Sequence, residues 1–197
     1  MNIWCVGRNY SEHAQELGNA IPETPLIFLK AGSCLVHSSI IELPKWTQEV
    51  HHELELAFQF NQELHLDKAA LALDLTERQL QSQLKSKGQP WTLAKSFTGA
   101  CPMSESKSLS DLGGLKTIYE WEFSLEVNGK IRQKARMGEM IFDLETLETY
   151  VKSRFPIAPM DWLLTGTPAG VAALKEGDQL VARWGAFPEQ KWRVQSS

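Results

Sequence analysis

The chain has 197 residues, of which 43% are hydrophobic and 22% are charged, and its formal net charge is −4. Such a chain can bury a sizeable core, and its mild acidity argues against nucleic-acid binding, which requires a basic surface. Three widely spaced cysteines, Cys5, Cys34 and Cys101, argue against a disulfide framework and favour a reducing cytoplasm. We expect no signal peptide, no membrane span and a single domain over residues 1–197.

Taken in chain order, the pattern predicts mostly strands, with a few short helices. Apolar runs and strict alternation predict strands over residues 3–6, 26–30, 39–43, 51–60, 71–74, 119–127, 161–165 and 179–182. Asn128 and Gly129 follow one of these runs and form the strongest short signal for a β-hairpin. This composition of elements indicates a strand-dominated α+β fold.

Helices are predicted at three places in the chain. The first spans residues 10–17. The second follows Asp74, with Thr76 and Gln79 spaced as a capping box and Gly88 as its stop. The third covers residues 144–151, with Asp143 as its N-cap.

Residues 51–60 read HHELELAFQF and place two carboxylates in an otherwise apolar strand. Side chains alternate along a strand, so Glu53 and Glu55 share a face and stand roughly 6 to 7 Å apart. Two anions among apolar neighbours resist burial, and the usual compensation is a hard divalent cation bound through oxygen. The alternative is an amphipathic strand whose acidic face is open to water.

Asp74 supplies a third carboxylate, at a strand end beside a predicted helix N-terminus, where negative charge is favoured. With Glu53 and Glu55 it would form an all-oxygen site that suits Mg²⁺, Mn²⁺ or Ca²⁺ rather than zinc. The alternative role for Asp74 is that of a polar turn residue.

Several strings resemble the fumarylacetoacetate hydrolase family, in particular its small acylpyruvase and oxaloacetate decarboxylase branch. They are CVGRNYSEH, HHELELAF, LDLTERQLQ, KGQPWTLAKSF, NGKIRQ, and LLTGTPAGV followed by EGDQL. They stand in the family's order over about residues 3–181. The resemblance implies a mixed β-roll or β-sandwich-like barrel of the family's C-terminal-domain type, and a homodimer. Two departures are a short interval between Glu55 and Asp74 and a short stretch after Asp178, where the last strands are expected to be incomplete.

The resemblance also implies roles for site residues. The implied metal ligands are Glu53, Glu55 and Asp74. The implied catalytic residues are His13, Glu16 and Lys95, and the implied substrate-binding residues are Arg8, Tyr10, Arg78, Gln81 and Thr167.

From spacing alone, these residues have simpler interpretations. His13 and Glu16 lie three apart, which suits an oriented base but equally a solvated helix face. Lys95 either reaches the surface or faces a polar pocket. Thr167 lies in a glycine-rich segment that either binds a carboxylate or forms a tight turn, and that segment lacks the spacing of a phosphate-binding loop.

The implied function is a divalent-metal-dependent hydrolase that cleaves a C–C bond in acylpyruvates or related β-diketo acids through a metal-stabilised enolate. Oxaloacetate decarboxylation is an expected companion activity. The alternatives are an oxaloacetate tautomerase or a hydroxymuconate-type isomerase acting on 2-hydroxyhepta-2,4-diene-1,7-dioate. A metal-stabilised β-rich binding protein is the non-enzymatic alternative. The expected cofactor is Mg²⁺ or Mn²⁺, and the expected partner is a small 2-oxo acid.

Overall fold

A computed structural model describes residues 1–12, 22–47 and 49–196, and the labels below count the described elements in chain order. The strands are β1 Ile3–Gly7, β2 Leu26–Lys30, β3 Leu35–Val36, β4 Ile40–Leu43, β5 Val50–His52, β6 Leu54–Phe60, β7 Leu66–Leu73, β8 Thr76–Glu77, β9 Cys101–Pro102, β10 Lys107–Ser108, β11 Glu122–Val127, β12 Lys130–Arg136, β13 Trp162–Leu164, β14 Ala172–Ala173, β15 Gln179–Trp184 and β16 Phe187–Ser196. The helices are α1 Arg78–Ser86, α2 Thr92–Lys95, α3 Leu115–Tyr119 and α4 Leu144–Arg154, with 3₁₀ turns at Gly32–Cys34 and Met137–Glu139.

Two larger sheets form the body of the molecule. A six-stranded sheet has the order β10-β7-β6-β13-β1-β2, and a five-stranded sheet has the order β12-β11-β15-β16-β4. The buried apolar side chains of both belong to one continuous cluster. The strand-dominated α+β class is therefore as predicted. The sandwich-like arrangement of sheets is as predicted as well, and the described sheets keep open edges and do not close into a barrel.

Strand β6 lies inside the six-stranded sheet, antiparallel to both β7 and β13. All seven of its residues are buried, because neighbours pair with both of its edges and side chains pack on both of its faces. The alternative interpretation, an amphipathic strand whose acidic face is open to water, is therefore wrong.

The Asn128-Gly129 hairpin is confirmed. Both residues have positive φ, 53° and 73°, as the turn between β11 and β12 requires. The N-cap of α4 is confirmed as well, since the Asp143 carboxylate accepts a hydrogen bond from the Thr146 N–H at 2.8 Å.

Three local predictions are wrong. Thr76 does not cap the second predicted helix; its hydroxyl donates to the Asp74 carbonyl, and the Glu77 side chain accepts from Leu80 N–H at the helix start. Residues 119–121 precede β11 instead of joining it, because a short helix ends at Tyr119. The last strand is complete: β16 has ten residues and pairs with both β15 and β4.

None of the described helices has the length and apolar character needed to cross a bilayer.

Candidate active site

The sheet brings the three carboxylates predicted as metal ligands together. Glu53 lies between β5 and β6, Glu55 lies on β6, and Asp74 follows β7 directly. Because β6 pairs with β7 in register, the Asp74 N–H donates to the Glu53 carbonyl at 2.9 Å. One oxygen from each carboxylate lies within 4.8 Å of the others, and all three residues are buried.

Three cations pair with two of these carboxylates, Glu53 and Asp74. Lys30 Nζ donates to Asp74 Oδ1 at 2.6 Å and to the Leu75 carbonyl at 3.1 Å. Lys95 Nζ lies between two carboxylates, donating to Glu53 Oε2 at 2.8 Å and to Asp74 Oδ2. Arg78 donates to Glu53 Oε1 from the first turn of α1.

Burial and the neighbouring charges shift the acidities of two of these groups strongly. Burial, and then the carboxylates of Asp74 and Glu53, raise the pKa of Glu55 well above its usual range. Burial alone would lower the pKa of Lys95, but the same two carboxylates outweigh it and raise that pKa. Lys95 therefore keeps its proton at neutral pH.

The donor set fits a hard divalent cation. It consists of carboxylate oxygens from three segments of the chain, held close together in a buried site, and Mg²⁺, Mn²⁺ and Ca²⁺ prefer such ligands. Only one hydrogen bond fixes Glu55, from the Gly166 N–H to Oε2 at 2.8 Å, among the residues that the structure describes. Its other oxygen is available as a ligand.

The carboxylates form the floor of a cavity of about 400 Å³, counted out to its open mouth. One wall is apolar and is lined by Val6, Leu26, Phe28 and Trp91. The remaining lining is polar and mostly cationic. A cavity with such a lining suits a small anion.

Arg8 and Lys85 lie in the cavity lining, together with the three acidic residues. In contrast to Lys30, Lys95 and Arg78, neither has an acidic partner within the described ranges. The Arg8 Nε is buried, and it has no hydrogen-bond partner in that part of the chain. A buried, unpaired guanidinium nitrogen in a cavity is expected where an anionic ligand binds.

The loop that carries Arg8 is held by its neighbour, Asn9. The Asn9 amide donates to the carbonyls of Phe142 and Thr165 and accepts from the Phe142 N–H. These bonds hold Arg8 at φ 60°, a left-handed conformation that is costly for a residue with a Cβ. Gly166 completes the contact, because a Cβ there would lie 2.8 Å from the Asn9 Cβ.

Thr167 lines the cavity, but its hydroxyl hydrogen is already used. The hydroxyl donates to the Leu54 carbonyl at 2.8 Å and accepts from the Gln133 amide at 2.7 Å. In this arrangement it can accept a further hydrogen bond but cannot donate one to a substrate carboxylate.

Gln133, on β12, organises this corner of the site. Its amide N–H₂ donates to Thr167 and to the Pro168 carbonyl, and its Oε1 accepts from the Leu54 N–H and from His52 Nδ1. This network assigns the proton of His52 to Nδ1. Burial lowers the pKa of His52, which is consistent with a neutral ring.

The other predicted site residues lie in different places. Gln81 is buried in the cavity lining and accepts from Arg78 at 2.8 Å. Tyr10 lines a neighbouring cavity with Glu139 and Pro168. His13 and Glu16 lie outside the described residues.

Sequence reasoning missed Lys30, Lys85 and Gln133. Lys30 ends the apolar run LIFLK and is completely buried; a lysine that closes such a run was the available signal, and its burial, which requires a charged partner, is visible only in the structure. Gln133 belongs to the NGKIRQ string, in which only the turn was interpreted. Lys85 sits in a polar helical run that is typical of a solvated face.

The model of the fumarylacetoacetate hydrolase C-terminal domain matches residues 2–195. The chain belongs to the fumarylacetoacetate hydrolase family. It is 36% identical over 205 residues to the mitochondrial oxaloacetate tautomerase FAHD1 of Bos taurus, covering 98% of this chain and 91% of that protein.

Two solved structures extend the comparison. Fumarylpyruvate hydrolase from Pseudomonas aeruginosa, in complex with Mn²⁺ and pyruvate, superposes with a TM-score of 0.90 at 29% identity, covering 100% of this chain and 90% of that one. The 5-carboxymethyl-2-hydroxymuconate delta-isomerase from Mycobacterium smegmatis gives 0.83 at 29% identity, with 100% and 79% covered. Members of the family are thus enzymes: tautomerases, hydrolases and isomerases.

Proposed function

We propose that this chain is a divalent-metal-dependent enzyme that interconverts the enol and keto forms of oxaloacetate. The observation that carries the proposal is the buried triad of Glu53, Glu55 and Asp74 at the floor of a small cavity lined with cations. The tautomerase assignment of the Bos taurus relative supports the choice of substrate. We therefore rank first a reaction that the sequence alone ranked second.

The charge balance of the cavity also favours an acidic substrate. The three carboxylates are balanced in number by three cations, Lys30, Lys95 and Arg78, which pair with Glu53 and Asp74. A divalent cation held by Glu53, Glu55 and Asp74 would add two positive charges, and Arg8 and Lys85 add further ones. A dianionic 2-oxo acid would offset two of these four added positive charges, in a site where uncompensated charge is costly.

In this proposal each residue of the site has a separate role. A bound divalent ion supplies electrophilic stabilisation of negative charge on the substrate's 2-oxygen. Lys95, held protonated by Glu53 and Asp74, presents a fixed positive charge to the same oxygen. Arg8 orients the substrate carboxylate through its guanidinium. His13, with Glu16, is the proposed base dyad for the proton at carbon 3.

A second candidate is hydrolytic C–C cleavage of an acylpyruvate, with oxaloacetate decarboxylation as a companion activity. It is favoured by the likeness to a fumarylpyruvate hydrolase whose structure holds Mn²⁺ and pyruvate. In that reaction His13 and Glu16 would deprotonate an attacking water. A delta-isomerase reaction has the support of the Mycobacterium smegmatis structure alone.

One assay separates these reactions. The purified protein, with Mg²⁺ or Mn²⁺ and then with EDTA, is mixed with enol oxaloacetate, fumarylpyruvate and acetylpyruvate, and the enol absorbance is followed. Metal-dependent loss of enol oxaloacetate with no pyruvate released supports the tautomerase. Pyruvate release from fumarylpyruvate or acetylpyruvate supports the hydrolase, and release from oxaloacetate supports decarboxylation. No turnover, together with marked melting on chelation, identifies a metal-stabilised binding protein.

We further propose that the protein is a single-domain homodimer that works in a reducing compartment such as the cytoplasm. Its cysteines are all free and buried, and burial raises the pKa of Cys101 to about 12. The similar oxaloacetate tautomerases of Bos taurus and Caenorhabditis elegans are named as mitochondrial, so fractionation of the source cells tests this location.

A further inference from the structure

Lys85 is a partly buried lysine of the cavity lining and, unlike the buried Lys30 and Lys95, it has no anionic partner among the described residues. Lys30 and Lys95 each donate to Asp74. Lys85 projects from the last turn of α1 into the cavity lining, and its ammonium lies 4.9 Å from the centroid of the Trp91 ring. No carboxylate pairs with it in the described part of the chain.

The aromatic wall separates Lys85 from the carboxylate floor. Lys95 Nζ lies 4.9 Å from the centroid of the Phe28 ring, and the Phe28 and Trp91 rings are 5.6 Å apart. Lys85 then lies over the Trp91 ring. One cation therefore stands at the floor and another further along the same wall, which suits a ligand with a negative charge at each end.

The position of Lys85 is electrostatically unfavourable without an anion. Burial, and then the cations Arg8, Arg78 and Lys95, lower its pKa to about 8, against the opposing effect of Glu53. A flexible lysine normally escapes such a position by turning to water, as the exposed Lys87 near the end of the same helix does. The ring of Trp91 holds the ammonium by a cation–π contact instead.

We propose that Lys85 is a specificity-determining residue that binds the distal carboxylate of a dicarboxylic 2-oxo acid. This inference rests on the proposed function, which places the 2-oxo-carboxylate end of the substrate at the acidic floor. It adds that the enzyme selects dicarboxylates such as oxaloacetate over acylpyruvates that end in an alkyl group.

A binding experiment without turnover tests the assignment. Mn²⁺-loaded protein is titrated with 2-oxoglutarate and with 2-oxopentanoate, which have the same chain length and differ only in the terminal carboxylate. Wild type should bind 2-oxoglutarate at least about tenfold more tightly than 2-oxopentanoate, because a charge-assisted hydrogen bond to the partly buried Lys85 ammonium strengthens binding by about this factor. Lys85→Met should reduce this preference to within about twofold, and Lys85→Arg should keep most of it.

Lys87→Met is the matched control, because it removes one charge from the same helix end at an exposed position outside the cavity; it should keep the wild-type preference. The assignment is overturned if wild type shows no preference for the dicarboxylate, or if Lys85→Met keeps it. Parallel turnover assays on oxaloacetate distinguish the role of Lys85 in binding from the proposed tautomerase reaction. A preference lost in Lys85→Met without any turnover in wild type would support the assignment and reject the tautomerase.

Discussion

Replacing Asp74 by asparagine should destabilise the protein strongly, even with no metal present. Asp74 accepts from both Lys30 and Lys95 and is completely buried. Asparagine keeps the shape and removes the charge. Lys95 would retain Glu53 as a charged partner, but Lys30 would keep only neutral acceptors, the asparagine amide oxygen and the Leu75 carbonyl.

The loss follows from the burial of Lys30, whose side chain has no solvent exposure. Leaving a buried charge without its partner costs about 3 to 5 kcal/mol, out of a total stability of about 5 to 15 kcal/mol. For a chain of this size each kcal/mol shifts the melting temperature by about 2 to 4 °C, so Asp74→Asn should melt about 6 to 20 °C lower. Urea denaturation and thermal melting in EDTA measure both quantities.

Two further variants control this result. Glu148→Gln breaks the surface pair between Glu148 and Lys152 and should cost less than about 0.5 kcal/mol. Adding Lys30→Met to Asp74→Asn removes the unpaired charge, and should recover at least about 1.5 kcal/mol relative to additivity. A fall of less than 2 °C in Asp74→Asn, or strict additivity of the two substitutions, would refute the reasoning.

Lys95→Met should lower kcat by about 10² to 10³ while Mn²⁺-loaded protein stays folded by circular dichroism; unchanged turnover would contradict the role of this charge. Gln133→Ala leaves the Leu54 N–H and the His52 ring N–H without their acceptor and should lower the free energy of unfolding by about 2 to 5 kcal/mol, measured in urea; a neutral result would show that water replaces the amide. Because burial and neighbouring cations lower the pKa of Lys85 to about 8, its ammonium is present below that pH and lost above it. KM for oxaloacetate should therefore rise between pH 7 and 9, and stay flat in Lys85→Arg; an equal rise in both proteins would assign the effect to another group.

The sequence predicted the acidic floor because its signals are local. Glu53 and Glu55 stand out against the apolar run of residues 51–60, and Asp74 ends another such run. The family's motifs then joined the two segments. The same run also allowed the wrong alternative, in which the acidic face of the strand is open to water. An interior strand buries both of its faces, and an alternating pattern cannot reveal this.

The missed features depend on contacts between distant segments. Lys30 pairs with Asp74, 44 residues away, and no pattern around Lys30 indicates that partner. At the start of α1 the sequence pattern favours Thr76 as the cap, but Thr76 pairs with His51 of β5 and Glu77 caps the helix instead. Trp184 pairs with Phe187 across a tight turn between β15 and β16. The glycine and proline around this turn interrupt the strand pattern, so the sequence predicted incomplete last strands.

The central claim is that Glu53, Glu55 and Asp74 together hold one divalent cation. Anomalous diffraction from crystals grown with Mn²⁺ tests it most directly. We expect one strong anomalous peak per chain in the cavity, about 2.0 to 2.6 Å from an oxygen of each of the three carboxylates. Crystals with no peak between these side chains, or with manganese bound only elsewhere on the protein, would contradict it.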